Sequence, residues 1–317
     1  MSSPASTSPR GSTARPPRNP GPSWGYRFMR LCDRALPEVV FKPLRALGTW
    51  VAIAGMPAPR RHSRDYLAVV LGRPPTLRDV FRHFFAFEEA LMLKLRVANG
   101  RAHRGELAPD ASAFGAWLAG GRPALLGTFH VGDSDLLGFL LGGRERRRVY
   151  LVRQRVANSH DTEKLGALFG EWVRFVWVNE PGEMLFALKA AAAAGDGAIA
   201  LQCDRVDYSS RSEAFEFLGA RRVFPFTIYH LALIFGWPVL LSVGVPDRPG
   251  RSLLHSSPAF EPIAGEPRPE ALARARRHFQ AFLHQLEGLL RAQPYLWFNF
   301  TPLNPPAAGP ATASPTP

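Results

Sequence analysis

Residues 125–138 read L-L-G-T-F-H-V-G-D-S-D-L-L-G and bring His130, Asp133, Ser134 and Asp135 together in one short run of chemically competent side chains. An imidazole with one nitrogen hydrogen-bonded to a carboxylate has a fixed tautomer, which leaves its other nitrogen free to take a proton from a hydroxyl or an amine. His130 and Asp135 can form such a base and orienter. In a continuous helix, positions i and i+5 lie about 140° apart and do not face one another. The contact therefore needs a turn between them, which Gly132 makes easy. Ser134 is a second candidate, as a nucleophile that would carry a covalent intermediate. A third chemistry is metal binding by His130, Asp133 and Asp135, with Asp204 and Asp207 available from another strand end. The plain alternative is a satisfied core histidine beside an ordinary acid at a helix start.

The surrounding pattern says what must position these residues. Residues 124–129, 149–152, 175–178, 198–201 and 239–243 read as buried strands, and 135–141, 162–169, 183–194, 225–235 and 269–290 as helices. Such alternation predicts an α/β fold, a mostly parallel central sheet flanked by helices and joined by right-handed crossovers. His130 then directly follows a strand and Asp135 begins a helix, at the carboxyl edge where open α/β sheets place their sites. Ahead of the sheet, residues 24–100 form a helical lead-in, with Thr76 as an N-cap before the periodic run Phe81, Phe84, Phe85, Leu91 and Leu95. The α/β domain occupies 101–303. Residues 1–23, rich in Ser, Pro and Gly with Arg10, Arg15 and Arg18, and residues 304–317, of Pro, Ala and Thr, cannot offset the entropy of ordering and read as disordered tails.

An apolar content of 46%, with 22 Phe and seven Trp, excludes a disordered or fibrous chain. Cys32 and Cys203 are the only cysteines, too few for a disulfide framework or a Cys-based zinc site. The net charge of +13 is nearly all arginine, since only Lys42, Lys94, Lys164 and Lys189 are lysines, and it favours anionic partners. Arginines scattered along the chain without a nucleic-acid motif disfavour nucleic acid as that partner, although a basic membrane-binding module without enzymatic activity would also explain the charge. No signal peptide is visible. Residues 39–56 are interrupted by Lys42, Pro43 and Arg45, so a clean spanning helix is not expected. A helix lying in the membrane interface and a buried amphipathic helix both fit that segment.

The spacing of His130 and Asp135 resembles the H-x4-D/E signature of the lysophospholipid acyltransferase superfamily. The likeness is closer to its bacterial lipid A biosynthesis (lauroyl/myristoyl) acyltransferase branch and runs from about residue 25 to residue 302. It is carried in order by R-H-S-R-D-Y-L at 61–67, C-D-R at 203–205, F-L-G-A-R-R-V-F-P at 217–225, W-P-V at 237–239 and P-Y-L-W-F-N-F at 294–300. Typical members of the branch have Asp-Gln where this chain has Asp204-Arg205. Together with the lack of a clear membrane anchor, that looks more like a soluble or peripheral subgroup. A likeness of G-D-S-D-L to the nucleophile block of G-D-S-L esterases is weaker, because their D-x-x-H is missing: Asp247 is the last aspartate and no histidine stands three residues after it.

The closer resemblance implies transfer of a fatty acyl group from an acyl-carrier-protein or coenzyme A thioester to a hydroxyl or amine of a lipid or amphiphilic acceptor, with His130 as base and Asp135 as its orienter. It implies no cofactor and no metal, with the acyl thioester as co-substrate. It places the protein as a peripheral or monotopic protein on anionic lipids at the cytoplasmic face of the bacterial inner membrane. Asp204 and Arg205 would line the substrate cleft, Arg205 meeting a phosphate or carboxylate with a forked pair of hydrogen bonds. Phe224 and Pro225 fall at the superfamily's phosphate-binding block and would also touch substrate, although Phe226 and Thr227 replace that block's acid and glycine. His160 and His230 read as surface or core residues. Arg274, Arg276 and Arg277, opposite the apolar face of the closing helix, are either a solvated face or a dock for an acidic carrier protein.

Overall fold

A computed structural model describes residues 23–144, 147–153, 169–177, 181–195, 197–206, 209 and 211–303. Four helices come first: α1 (Ser23–Ala35), α2 (Glu38–Gly55), α3 (Pro57–Leu71) and α4 (Leu77–Ala98). Their ends follow local chemistry. Proline opens α3, and Gly72 closes it in the left-handed region at φ 65°. Thr76 caps α4 as expected, its hydroxyl accepting from Asp79 N while the Asp79 carboxylate accepts from Thr76 N.

The rest of the chain runs β1 (Arg104–Leu107), α5 (Ser112–Gly120), β2 (Ala124–Gly132), α6 (Ser134–Arg144), β3 (Arg148–Arg153), β4 (Val173–Trp177), α7 (Pro181–Ala194), β5 (Gly197–Gln202), β6 (Ser212–Phe217), β7 (Ala220–Pro225), α8 (Thr227–Phe235), β8 (Val239–Arg248), β9 (Arg251–Ser256) and α9 (Arg268–Ala292). Seven strands form one sheet in the order β1-β9-β8-β2-β5-β3-β4, parallel except for the β8/β9 pair. This is the mostly parallel α/β sheet that the sequence predicts. A second, two-stranded sheet is the antiparallel β6/β7 hairpin.

Strands covered on both faces need apolar residues of both parities. Ala124, Leu126, Ala198, Ala200 and Leu240 pack with Phe114 and Trp117 of α5 on one face. Leu125, Ile199, Leu241 and Val243 pack on the other face with Leu67 of α3, Phe84 of α4, Tyr229 of α8 and Phe279 of α9. The helical lead-in thus shares the main core with the sheet.

Several elements differ from the expectation. Pro225 closes β7 and the helix begins at Thr227, because residues 212–225 alternate as a hairpin rather than leading into a helix. Strands β1 and β9 and helix α5 were not anticipated. The helix expected over 162–169 falls, apart from Phe169, outside the described residues, as do residues 1–22 and 304–317.

The chain leaves β2 for α6 at Gly132, where φ is 49° and an added Cβ would stand 2.4 Å from the Gly244 carbonyl oxygen of β8. Both the backbone angle and the space demand glycine. Gly132→Ala should therefore lower stability by about 2 kcal/mol. The check is a urea midpoint shift at unchanged slope; an unshifted midpoint would mean that the turn relaxes freely.

Candidate functional site

The register of two neighbouring strands builds the site. In the β2/β5 ladder Thr128 pairs with Gln202, and the Cys203 amide donates to the Thr128 carbonyl at 2.8 Å. Two residues further along each chain stand His130 and Asp204, so they meet at the carboxyl edge of the sheet. His130 Nδ1 lies 2.8 Å from Asp204 Oδ1, and the His130 amide donates to Asp204 Oδ2 at 2.8 Å. Asp204 is completely buried, whereas the His130 side chain retains 16% exposure. Burial pushes the Asp204 carboxyl up, but the attraction of the His130 ring whenever it is protonated, with the two hydrogen bonds of that residue, outweighs it and holds the carboxyl below its ordinary range. An ionised carboxylate only accepts, so Nδ1 carries the proton and Nε2 presents its lone pair. Among the described residues no group bonds Nε2.

The closing segment locks this pair. Trp297 forms an antiparallel bridge with Val131, the Phe298 amide donates to the His130 carbonyl at 2.7 Å, and the Gly132 amide donates to the Leu296 carbonyl at 2.8 Å. Trp297 Nε1 donates to Asp204 Oδ2 at 3.0 Å, and Asn299 Nδ2 donates to the Asp204 carbonyl at 3.2 Å. The segment is held in turn by the helical lead-in. Tyr295 donates to Asp79 Oδ1, and His83 Nε2 donates to the Trp297 carbonyl at 2.8 Å.

Asp135 does not orient the imidazole. Its Oδ2 accepts from Lys94 Nζ of α4 at 2.8 Å, while Nδ1 of His130 is taken by Asp204. The expected dyad is corrected on this point, because the turn at Gly132 sends Asp135 into the first turn of α6, toward α4. The Lys94 ammonium holds the Asp135 carboxyl well below the usual range against its burial, with help from Arg153 at the end of β3 and from His130. Asp135 therefore belongs to the same electrostatic cluster without touching the ring nitrogen that it was expected to hold.

Ser134 is structural. Its hydroxyl donates to the Val131 carbonyl at 2.5 Å and accepts from the Gly244 amide at 2.8 Å, and no histidine among the described residues reaches it. Asp133 turns away as well, accepting from Ser252 Oγ, which also contacts His103 Nε2 at 2.9 Å. Burial raises the Asp133 carboxyl above its ordinary value. With the three residues of the metal reading facing different partners, no group of three His, Cys, Asp or Glu side chains among the described residues could hold a metal ion. Asp207 and His160 lie outside the described residues.

Asp204 lines no cleft, since it is wholly enclosed, and its role is to hold the histidine. Arg205 is half-buried at the edge of the site, and its Nε donates to Asn299 Oδ1 at 3.0 Å. Phe224 and Pro225 are corrected too. Phe224 is fully buried against Phe217 and Phe279, and Pro225 is buried at the end of β7, so neither offers a surface to a ligand. His230 contacts Arg268 and Phe226 at the surface. Arg274 is paired with Glu266 and Arg276 with Glu213, which leaves Arg277 as the weaker remainder of the proposed carrier-protein dock.

The sequence gives no site role to Lys94 or Arg153, and marks Trp297 and Asn299 only as part of P-Y-L-W-F-N-F at 294–300. Arg153 has a positional signal as well, since it sits, like His130, toward a strand's carboxyl end. Beside the cluster, a cavity of about 50 Å³ lies between α5, α6 and the sheet. Phe114, Trp117, Leu126 and Val149 wall it, and Ser134 and Asp135 stand at its polar side. His130 does not line it; Asp135 is common to the cavity and the charged cluster.

His83 supplies a test of the clamp. It is 1% exposed, donates through Nε2 to the Trp297 carbonyl, and accepts the Ser63 hydroxyl at Nδ1, 2.9 Å away. Burial pushes its pKa down to about 4 from an ordinary value of 6.5. A buried neutral histidine gives stability that is fully present above about pH 6.5 and is lost as pH falls toward 4, because the unfolded chain takes up the proton first. Relative to His83→Gln, the protein should lose about 2 kcal/mol more on going from pH 7 to pH 5. Parallel urea curves for the two proteins at the two pH values read this difference, and equal losses would contradict it.

Comparison of the chain with protein-family models and with curated proteins finds no match, so the chemistry of the site has to be read from its geometry.

Proposed function

We propose that the chain is an acyltransferase in which His130 acts as the general base and Asp204 as the residue that positions it. The acceptor is a lipid or amphiphile bearing a hydroxyl or an amine, and the donor is an acyl thioester of an acyl carrier protein or coenzyme A. The observation that carries this reading is the His130–Asp204 pair, a ring fixed through Nδ1 by a buried carboxylate with Nε2 directed away from it.

In the proposed reaction Nε2 takes the proton of the acceptor as its oxygen or nitrogen attacks the thioester carbonyl. The carbonyl electron pair moves to oxygen. When the tetrahedral intermediate collapses, the C–S bond breaks and the thiolate leaves with the proton held on Nε2. Asp204 stabilises the imidazolium between the two steps. Lys94 and Arg153 put positive charge beside the site, where an oxyanion or an anionic headgroup would be stabilised. The engagement of the Ser134 hydroxyl proton and one of its lone pairs in backbone contacts supports direct transfer over an acyl-enzyme. The apolar cavity beside Asp135 supports an acyl substrate, with Trp117 and Phe114 bounding the space for the chain.

Release of thiol from an acyl thioester, in the presence of an acceptor extract, tests the assignment. His130→Ala should lower turnover by about 10²- to 10⁴-fold. Asp204→Asn should come within about tenfold of that loss, and the double variant should lose little more than the worse single one, because an orienter has no role without its base. Ser134→Ala should keep most turnover per folded molecule while costing about 1–3 kcal/mol of stability, since the Gly244 amide loses its acceptor. An inactive but folded Ser134→Ala enzyme, or an active His130→Ala enzyme, would overturn the mechanism.

Arg205 gives a separate prediction. Among the described residues only its Nε is bonded, leaving its terminal nitrogens for a phosphate or carboxylate of substrate. Arg205→Lys should raise KM severalfold with kcat nearly unchanged, because lysine cannot present the fork. Unaltered constants would assign Arg205 to bracing Asn299 alone.

A further inference from the structure

Helix α2 is built inside out. Its inward stripe is Phe41, Arg45, Thr49 and Ile53, and Arg45 is only 3% exposed, held by Glu88 at 2.7 Å and Glu38 at 2.6 Å. Its outward surface carries Val39, Val40, Leu44, Leu47, Trp50 and Val51, which are 38% to 79% exposed. Exposed Phe28 and Leu31 of α1 add to the apolar area. A helix facing water places its charges outward and its apolar stripe inward. The reversal here, over a run of large side chains rather than a single residue, means that the medium outside α2 is not water alone.

The charges around this surface identify the medium. Arg34, Arg61 and Arg64 are exposed, and among the described residues none of them forms an ion pair. The nearby acids Asp33, Glu38 and Glu89 are held by Arg96, Arg45 and Lys42, and Asp65 is the exposed acid between Arg61 and Arg64. An apolar face with exposed arginines on α1 and α3, two helices that contact α2, on a chain with a net charge of +13, is complementary to anionic headgroups over acyl chains. No single helix among the described residues is long and apolar enough to cross a membrane, and α2 and α3 meet at a 98° bend. That geometry suits a helix lying in the plane of the surface.

We propose that the outer face of α1 and α2 docks on an anionic phospholipid bilayer, with Val39, Val40, Leu44, Leu47, Trp50 and Val51 at the boundary of headgroups and acyl chains. The arginines Arg34, Arg61 and Arg64 meet lipid phosphates. Helix α4 connects this surface to the polar cluster: Glu88 grips α2 through Arg45, and Lys94, six residues on and about 9 Å along the axis, grips Asp135. A docked α2 would therefore hold the cluster close to the lipid surface.

The docking does not depend on any turnover, so it can be tested separately from the acyltransferase reading. The full chain is floated with phosphatidylcholine vesicles with and without phosphatidylglycerol. It should float with the anionic vesicles, less so at high salt but not to zero, because salt screens the arginines and not the apolar contact. The exposed double substitution Leu47→Glu/Val51→Glu should lower partitioning roughly tenfold or more while leaving the thermal melt unchanged. Arg61→Ala/Arg64→Ala should lower it on anionic vesicles alone. Equal flotation of wild type and Leu47→Glu/Val51→Glu would overturn the assignment of the face. Equal binding to neutral vesicles would overturn the anionic partner. A chain that does not float, and whose sedimenting dimer becomes a monomer in the Leu47→Glu/Val51→Glu variant, would make the face a contact between copies instead. A protein that floats but never releases thiol would keep the docking and lose the acyltransferase reading.

Discussion

The buried carboxylate of Asp204 is the constraint around which the site is organised. It is fully enclosed and accepts from the His130 amide, the His130 ring and the Trp297 indole. An ionised carboxylate without such donors costs several kcal/mol to bury. Three separate parts of the chain must therefore arrive together: the end of β2, the residues just past β5 and the closing segment around Trp297. The closing segment depends on α3 and α4, through Ser63 with His83 and through Asp79 with Tyr295. The lead-in helices thus belong to the support of the site rather than to a separate module.

Around that constraint the charges divide by function. Asp204 is sealed and serves one ring nitrogen. Asp135, Lys94 and Arg153 form a more open cluster at the same sheet edge, where the Lys94 ammonium keeps the Asp135 carboxyl ionised. The pairing removes Asp135 from the ring and fixes the Lys94 ammonium in the same cluster, so the start of α6 shapes the field of the site without touching His130. The apolar cavity below α5 and α6 borders this cluster at Asp135, so charged and apolar environments adjoin there.

Most of the fold was legible because strands covered on both faces are continuous apolar runs, and 124–129, 149–152, 198–201 and 239–243 all lie within observed strands. The β6/β7 hairpin was harder to see. Only Glu216 between Phe215 and Phe217, and Arg221 and Val223 flanking the buried Arg222, mark the alternation, a short pattern whose turn at Leu218 and Gly219 carries little local signature. His130 was legible from its place after a strand. Its partner was not, because a five-residue spacing in sequence suggested Asp135, whereas the contact is set by the register of β2 against β5, seventy-four positions away. Phe224 and Pro225 were misplaced for a related reason: a likeness of letters locates a segment and does not say which way its side chains point. The inverted polarity of α2 could not be read at all without knowing which stripe faces α4, since an apolar stripe in sequence reads as core by default.

The geometry of the site has Asp204, and not Asp135, fixing the tautomer of His130. The most direct measurement is the ¹⁵N NMR spectrum of the imidazole at neutral pH in the folded protein, with His130→Gln used to assign the signal. The spectrum should show a protonated Nδ1 and a lone pair on Nε2, a pattern lost in Asp204→Asn and kept in Asp135→Asn. A proton on Nε2 in the wild-type protein, or a tautomer that responds to Asp135→Asn and ignores Asp204→Asn, would contradict that role of Asp204.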